Sequence, residues 1–125
     1  MFQLYQTDDG HELPFEYLPC AAITPKQGMA MVVSGGKLAI AAGENKPAYI
    51  CAREEAAAVE AGTVIPAVKV QADQRWRVPN TYSHTVGAAY TLAASGLDIT
   101  TTTASGVFTV DGVDEDNGYV YGRFL

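Results

Sequence analysis

Short apolar runs separated by glycine, proline and small polar residues recur along the 125 residues of this chain. The clearest example is MAMVVSGGKLAIAAG, residues 29–43, in which Gly35 and Gly36 separate two such runs. If these glycines form a two-residue turn, Val33 faces Leu38 across a pair of antiparallel strands. No helix signal and no further spaced glycines follow, so the stretch lacks the pattern of a phosphate-binding loop. The sequence therefore predicts a hairpin whose large apolar side chains share one buried face. The residues expected on that face are Met29, Met31, Val33, Leu38 and Ile40.

Other stretches have the alternation or the β-branched content of strands. They are residues 46–53, 63–70 and 75–79, two or three strands within 87–110, and residues 118–125. Pro66 has no N–H, so its strand is expected at a sheet edge or at a bulge. Residues 53–62, rich in alanine and glutamate, are the one helix candidate, with a single turn or a loop as the alternative. Seven to nine short strands predict a mainly β fold, a small barrel or sandwich with at most one short helix.

Residues 1–28 differ from residues 29–125, which we assign to a single β domain. Three prolines in ELPFEYLPCAAITPKQG, residues 12–28, bias the preceding residues toward extended conformations. We therefore predict an extended N-terminal arm. Its apolar side chains either fold back on their own domain or cover a neighbouring subunit or a partner. The arm residues predicted to bind a partner are Leu13, Phe15, Tyr17, Leu18 and Ile23.

Acidic residues outnumber basic ones, and the net charge is −6. Seven of the eight lysines and arginines lie between Lys26 and Arg77, and none occurs from Val78 to Gly122. Nucleic-acid-binding surfaces are rich in basic residues, so we expect no nucleic-acid partner. No run approaches the roughly 20 apolar residues of a membrane-spanning helix, and MFQLYQTDDG lacks the features of a signal peptide. These observations predict synthesis in the cytoplasm and no membrane partner.

Few residues have a pattern that indicates chemistry. His11 and His84 are isolated, and the Ser83-His84 pair lacks the glycine elbow of a nucleophilic serine. Cys20 and Cys51 form no metal motif, so they are expected to be reduced and buried. The sequence therefore indicates no catalytic, cofactor or metal site, and we predict that the chain is not an enzyme.

The stretch DGVDEDNG, residues 111–118, is the densest group of carboxylates and could in principle hold calcium. Its glycine does not fit the EF-hand spacing, because placing Gly118 at the sixth loop position puts Val113 at the first. Asn117 and Gly118 together are a typical turn pair between two strands. We predict an acidic hairpin turn, with a metal site as the alternative.

The only tryptophan, Trp76, lies between Arg75 and Arg77. Clusters of basic and aromatic residues stack bases or sugars in some proteins. Alternation along a strand, however, places Trp76 on the face opposite both arginines. We expect a buried tryptophan, with Arg75 and Arg77 exposed for contact with a protein partner.

The order TPKQGMAMVVSGGKLAIAAGENKPAYICA, then AGTVIPAVKV, then RWRVP resembles the small structural proteins encoded beside the major capsid protein in tailed phages and prophages. In particular, it is similar to capsid decoration proteins of the lambda head-decoration type. The resemblance covers residues 24–79 and includes the arm, the glycine-turn hairpin and the strand that follows. It implies a mainly β virion protein, usually a homotrimer, that binds the major capsid protein on the capsid surface. It also implies no cofactor and no catalysis.

Two other functions fit the same composition. A barrel mouth lined by Tyr82, His84, Tyr90 and Tyr119 could hold a small ligand or a substrate, which would make the chain a carrier or an enzyme. The chain could also be another virion component, such as a connector or tail protein. A pocket with converging polar groups would favour the first alternative, and gene neighbourhood would separate the second from capsid decoration.

Overall fold

The computed structural model describes residues 1–10, 13–80 and 82–124. In that part of the chain, ten strands form two antiparallel five-stranded sheets that are not closed into a barrel. The predicted mainly β fold is confirmed, in its sandwich form. In chain order the strands are β1 (Gln3–Thr7), β2 (Glu16–Pro19), β3 (Ala30–Ser34), β4 (Lys37–Ile40), β5 (Tyr49–Cys51), β6 (Val64–Lys69), β7 (Gln74–Pro79), β8 (Ala89–Tyr90), β9 (Phe108–Asp114) and β10 (Tyr119–Phe124).

The first sheet has the strand order β1-β7-β10-β9-β8, and the second has the order β2-β6-β5-β3-β4. The main core lies between them, because each sheet contributes buried apolar side chains to one cluster. Trp76 and Phe108 come from the first sheet, Phe2 lies directly before its strand β1, and Ala30 and Ile50 come from the second sheet. Burial of these large side chains supplies the main driving force for packing the two sheets together.

A second core cluster lies on the opposite face of the second sheet. Successive residues of its strands alternate between the two clusters: Ile50 belongs to the main core, whereas Cys51 belongs to the second cluster. Just after β2, Cys20 forms an isolated parallel bridge with Leu38 of β4, which brings the two ends of this sheet together. The second sheet therefore curls around its own cluster. The buried members of that cluster are Cys20, Met29, Met31, Leu38, Cys51, Ile65 and Ala67.

The predicted β3–β4 hairpin is confirmed in its register. Val33 pairs with Leu38 and Ser34 with Lys37 around the two-glycine turn. The predicted shared face is confirmed for Met29, Met31, Leu38 and Ile40, which lie in or against the second cluster, but the opposite face is also covered, because Ala30 lies in the main core. Val33, near the turn, extends past both clusters and is 51% exposed.

The helix candidate, residues 53–62, is a loop. Its backbone donates to distant carbonyls, from Glu55 to Pro25 at 2.9 Å and from Val59 to Ile23 at 2.9 Å. These bonds use N–H groups that a helix would pair four residues back along the chain. The loop instead covers the second cluster, where Val59 packs. The described residues include no helix at all, and so none that is long and apolar enough to cross a membrane.

The expectation that the strand of Pro66 lies at an edge or a bulge was wrong. The strand β6 lies between β2 and β5, and no register shift is present in either ladder. Pro66 is tolerated because β5 ends at Cys51, so the residue opposite Pro66 is Ala52, outside the strand. Ala52 donates to the Pro66 carbonyl at 3.0 Å, and no donor is needed from the proline.

For residues 1–28, the structure shows the folded-back alternative. The strand β1 pairs with β7, and β2 pairs with β6, so each sheet takes an edge strand from this segment. Phe2 is buried in the main core. Burial of apolar surface favours this arrangement, because the side chains of Phe2, Leu18 and Ile23 pack in or against the two core clusters of their own domain.

Candidate interaction surfaces

The two long sides of the sandwich are built differently. On one side, the chain after β4 meets the chain after β8: Gly43 and Leu92 exchange two backbone hydrogen bonds of 2.9 Å. Nearby, the N–H of Ala30 donates to the Gly96 carbonyl at 2.7 Å. We call this the closed side, because backbone hydrogen bonds join the two sheets there.

On the opposite side, a groove separates β1, an edge strand of the first sheet, from Phe15, just before β2, and from Val68 of β6. The groove consists of two adjoining cavities of about 640 and 250 Å³, which share Leu4, Phe15 and Val68. Phe2 donates to the Gly28 carbonyl at 2.9 Å across one end of this open side. Leu13 and Gly10 line the wider cavity, and core residues, Trp76 among them, form the floor of the narrower one. No described lining residue has a charged side chain, but Met1, with its N-terminal amino group, and Gln3 and Gln27 line the narrower cavity, so the groove mixes apolar and polar groups.

The predicted partner-binding residues of the arm divide into two groups. Leu13 and Phe15 line the groove, and Phe15 is 56% exposed. Tyr17, on the edge strand β2, is 69% exposed. Leu18 and Ile23 instead pack against the second cluster, where they stabilise the fold. The groove therefore gathers Leu13 and Phe15, with Tyr17 beside them on the same edge.

Sequence reasoning identified only Leu13 and Phe15 of the groove and missed, among others, the shared lining residues Leu4 and Val68. Leu4 lies on β1, two residues after Phe2, and this alternation is a strand signal that could have been detected in MFQLYQT. Val68 was placed on a strand, but its position opposite Leu4 depends on the packing of the two sheets. No local pattern indicates that contact.

The prediction for Trp76 is confirmed: its side chain is buried in the main core. On the outer face of the same sheet, the Arg75 guanidinium lies 5.4 Å from the ring centre of Tyr5 and 4.9 Å from that of Tyr121. Arg75 also forms an ion pair of 2.7 Å with Asp111. Stacking and pairing together hold this arginine against the sheet.

Arg77 is held in a similar way. Its guanidinium lies 4.4 Å from the ring centre of Tyr119, and its Nε donates to Gln3 at 2.9 Å. Both predicted arginines are half-buried and have partners within the chain. Their contact with a protein partner stays a prediction, and any such contact would be made by a preformed face of stacked arginine and tyrosine side chains.

A third surface feature is a cleft of about 440 Å³ between the segment after β7 and the β9–β10 hairpin. It brings together Tyr82, His84 and Tyr119, three of the four residues expected around a ligand-binding mouth, with the carboxylates of Asp114 and Glu115. We call it the acidic cleft. The fourth residue, Tyr90, is buried beneath it, with its ring centre 4.5 Å from that of His84.

His84 forms one wall of the cleft. Its Nδ1 lies 3.1 Å from the Tyr82 carbonyl oxygen, and its Nε2 lies 2.9 Å from the Thr100 carbonyl oxygen. A neutral imidazole carries one N–H, so one ring nitrogen donates to a carbonyl oxygen while the other only lies close to one. The other isolated histidine, His11, lies outside the described residues.

The acidic stretch 111–118 forms the predicted hairpin turn. Tyr119 pairs with Asp114, and the Gly118 N–H donates to the Asp114 carbonyl at 2.9 Å. Hydrogen bonds from the side chain and backbone of Asn117 hold the pKa of the Asp114 carboxyl below its ordinary value. The described residues contain no group of three or more side chains that could together hold a metal ion.

Both cysteines are free thiols and are buried, as predicted. Burial raises the pKa of each thiol, because the charged thiolate loses its hydration in the second cluster. The Cys51 thiol donates to the Arg53 carbonyl at 3.2 Å. A raised pKa and an apolar setting make these thiols poor nucleophiles, which fits a packing role.

Comparison with protein-family models, with curated proteins and with solved structures finds no match to this chain.

Proposed function

We propose that this chain is a structural protein of a tailed-phage or prophage virion, and that it binds the major capsid protein on the outside of the capsid. The observation that carries the proposal is the groove along the open side. Large apolar side chains that line it are exposed, with Leu4 at 39%, Tyr5 at 48% and Phe15 at 56%. Exposed apolar patches on a chain of this size are typical of protein-binding sites.

The remainder of the molecule suits such a role. Two core clusters and backbone bonds on the closed side make a rigid support for the groove. A homotrimer would present three grooves to a repeating lattice, so weak individual contacts would add up through effective concentration. The net charge of −6 would limit nonspecific association at high concentration.

The test uses expanded shells assembled from the major capsid protein encoded beside this chain's gene. The purified chain is expected to sediment with these shells and to saturate at a fixed ratio of copies to capsid subunits. A chain that remains in the supernatant, or that binds purified connectors or tails instead, would contradict the proposal. The absence of a capsid gene from its neighbourhood would contradict it as well.

A matched pair of variants locates the contact. Phe15→Asp places a charge at the centre of the groove and is expected to weaken shell binding by about tenfold or more. Val86→Asp places the same charge at an apolar residue that is 59% exposed and lies outside the groove, and is expected to bind as the parent chain does. Equal losses in both variants would show that the groove is not the contact.

The acidic cleft supports a second candidate, which is binding of a small organic cation. Two tyrosine rings and two carboxylates around one cleft are typical of sites that recognise cations. L-argininamide is a suitable probe. The candidate predicts saturable changes in the amide NMR signals of residues 82–84 and 113–120 at millimolar probe, and unchanged signals would exclude it.

A further inference from the structure

We propose that Asn117, in the hairpin turn between β9 and β10, is a site of spontaneous deamidation, and that Asp114 controls the rate of this reaction. The reaction converts the side-chain amide of Asn117 to a carboxylate. It adds a negative charge to a turn that already contains Asp114, Glu115 and Asp116. The proposal concerns the chemistry of the turn itself, so it does not depend on the partner of this chain.

The reacting pair is Asn117 and Gly118. The Gly118 backbone nitrogen attacks Cγ of Asn117 and gives up its proton to hydroxide, and the new N–C bond closes a five-membered succinimide. The bond between Cγ and Nδ2 breaks, and Nδ2 takes up a proton from water and leaves as ammonia. A second water molecule then opens the ring at either carbonyl, which gives aspartate or isoaspartate.

The position of this pair suits the reaction. Glycine has no side chain that could block the approach of its nitrogen to the amide carbon. Even a Cβ added to Gly118 would meet no atom within 4 Å, so the surroundings of the turn are open. Asn117 is exposed, and water therefore reaches the amide and the succinimide.

Asp114 holds both reacting groups. Its carboxylate accepts hydrogen bonds from Nδ2 of Asn117 at 2.8 Å and from the Asn117 backbone N–H at 3.2 Å. Its carbonyl oxygen accepts at 2.9 Å from the Gly118 N–H, whose nitrogen must attack. An ionised carboxylate only accepts, so the NH₂ group of the amide is the one that faces Asp114. Ring closure requires the Asn117 side chain to rotate and the Gly118 nitrogen to lose its proton, and these bonds oppose both steps.

The charge on Asp114 also decides what the product does. The hydrogen bonds from Asn117 hold the pKa of the Asp114 carboxyl below its ordinary value, so this group is ionised at the neutral and alkaline pH at which hydroxide drives the reaction. A carboxylate at position 117 cannot donate to Asp114, and the attraction becomes repulsion between like charges. Deamidation therefore loosens the turn, and it changes the net charge from −6 to −7.

The experiment incubates the purified chain at mildly alkaline pH and follows the products at position 117 by peptide mapping with mass spectrometry. Asp114→Ala removes both carboxylate bonds to Asn117 and is expected to react about tenfold faster than the parent chain. Glu115→Ala is the control, because it removes an exposed carboxylate of the same turn that has no described hydrogen bond to Asn117. The control is expected to react within about twofold of the parent rate. Circular dichroism confirms that each variant is folded.

The parent chain in urea provides the rate of the unrestrained pair. The folded parent chain is expected to react at least about tenfold more slowly than the chain in urea, because the turn must open first. Equal rates in these two conditions would overturn the proposal, as would equal rates for Asp114→Ala and the parent. No conversion in urea would show that Asn117 is not a deamidation site. If Asp114→Ala does not fold, Asp114→Asn replaces it, and it is also expected to react faster than the parent because it lacks the charge.

Discussion

The closed and open sides of the sandwich show two ways of ending a pair of packed sheets. On the closed side, backbone hydrogen bonds between Gly43 and Leu92 and from Ala30 to Gly96 join the two sheets. On the open side, apart from the Phe2–Gly28 bond, side chains such as Leu4, Phe15 and Val68 form the boundary. Backbone hydrogen bonds hold the two sheets so close together that no cavity remains between them. Side chains of unequal size keep the sheets further apart and leave a groove. The difference explains why a groove is present on the open side, where Leu4 and Phe15 are exposed.

The largest contrast is expected when a leucine on each side is truncated. Leu92→Ala removes a fully buried side chain from the closed side of the main core and is expected to cost roughly 3–4 kcal/mol of unfolding free energy. Leu4→Ala on the open side is expected to cost less than about 1 kcal/mol, because 39% of that side chain is already exposed. Urea denaturation followed by Trp76 fluorescence measures both. Equal costs would show that the open side is packed as tightly as the closed side.

A difference of intermediate size in unfolding free energy is expected when two glycines with nearly the same φ angle are each replaced by alanine. Gly96, with φ +71°, is on the closed side, where a Cβ would lie 2.9 Å from the Ala30 carbonyl oxygen. Gly10, with φ +72°, is on the open side and has space for a Cβ. Gly96→Ala is expected to cost about 2–3 kcal/mol from strain and overlap together, and Gly10→Ala about 1 kcal/mol from strain alone.

Thermal unfolding of the two glycine variants, measured by circular dichroism, gives this comparison directly. Because the backbone angle is matched, the difference between the variants reports the close approach of the sheets at Gly96. A Gly10→Ala variant as unstable as Gly96→Ala would contradict the distinction between the two sides.

The smallest effect is expected at the ion pair between Lys26 and Glu54. Hydrogen bonds from the Lys26 ammonium and the Gln27 N–H hold the pKa of the Glu54 carboxyl below its ordinary value of 4.5. The folded state therefore favours the ionised form. This stabilisation is fully present above the unfolded pKa and is lost as pH falls through the lower, folded pKa.

Glu54→Gln tests this pH dependence. The variant is expected to have a slightly lower urea midpoint than the parent chain at pH 7, and the difference is expected to vanish near pH 2, below both pKa values. Glu60→Gln, an exposed glutamate on the same loop, is the control and is expected to leave the midpoint unchanged. A difference between Glu54→Gln and the parent that persists at low pH would show that the carboxylate charge is not the cause.

Local patterns were sufficient for several elements. The turn at Gly35 and Gly36 set the register of β3 and β4, because both glycines adopt the positive φ of a tight turn. Alternation placed Trp76 in the core and its neighbouring arginines on the other face. The acidic hairpin was also predicted from Asn117 and Gly118, but its loop spans residues 115–118, and of this pair only Gly118 has a positive φ. In each case the deciding interactions lie within a few residues.

Other features depended on contacts between distant segments. Residues 53–62 have the composition of a helix but form a loop, because their backbone N–H groups donate to carbonyl oxygens of residues 20–25. Alternation showed that the β3–β4 hairpin has two faces, but only the packing of the second sheet showed that both are buried. The groove joins Leu4, Phe15 and Val68, which are far apart in the chain and share no motif.

The amino-acid sequence by itself determined the strand content, the tight turns and the alternation of buried and exposed side chains, because these follow from the conformational preferences of neighbouring residues. Tertiary structure decided which strands became neighbours, that residues 1–28 supply two edge strands, and that one side of the sandwich closes while the other leaves a groove. The physical reason is that sheet order and sheet packing minimise the free energy of the whole chain, which no single segment specifies.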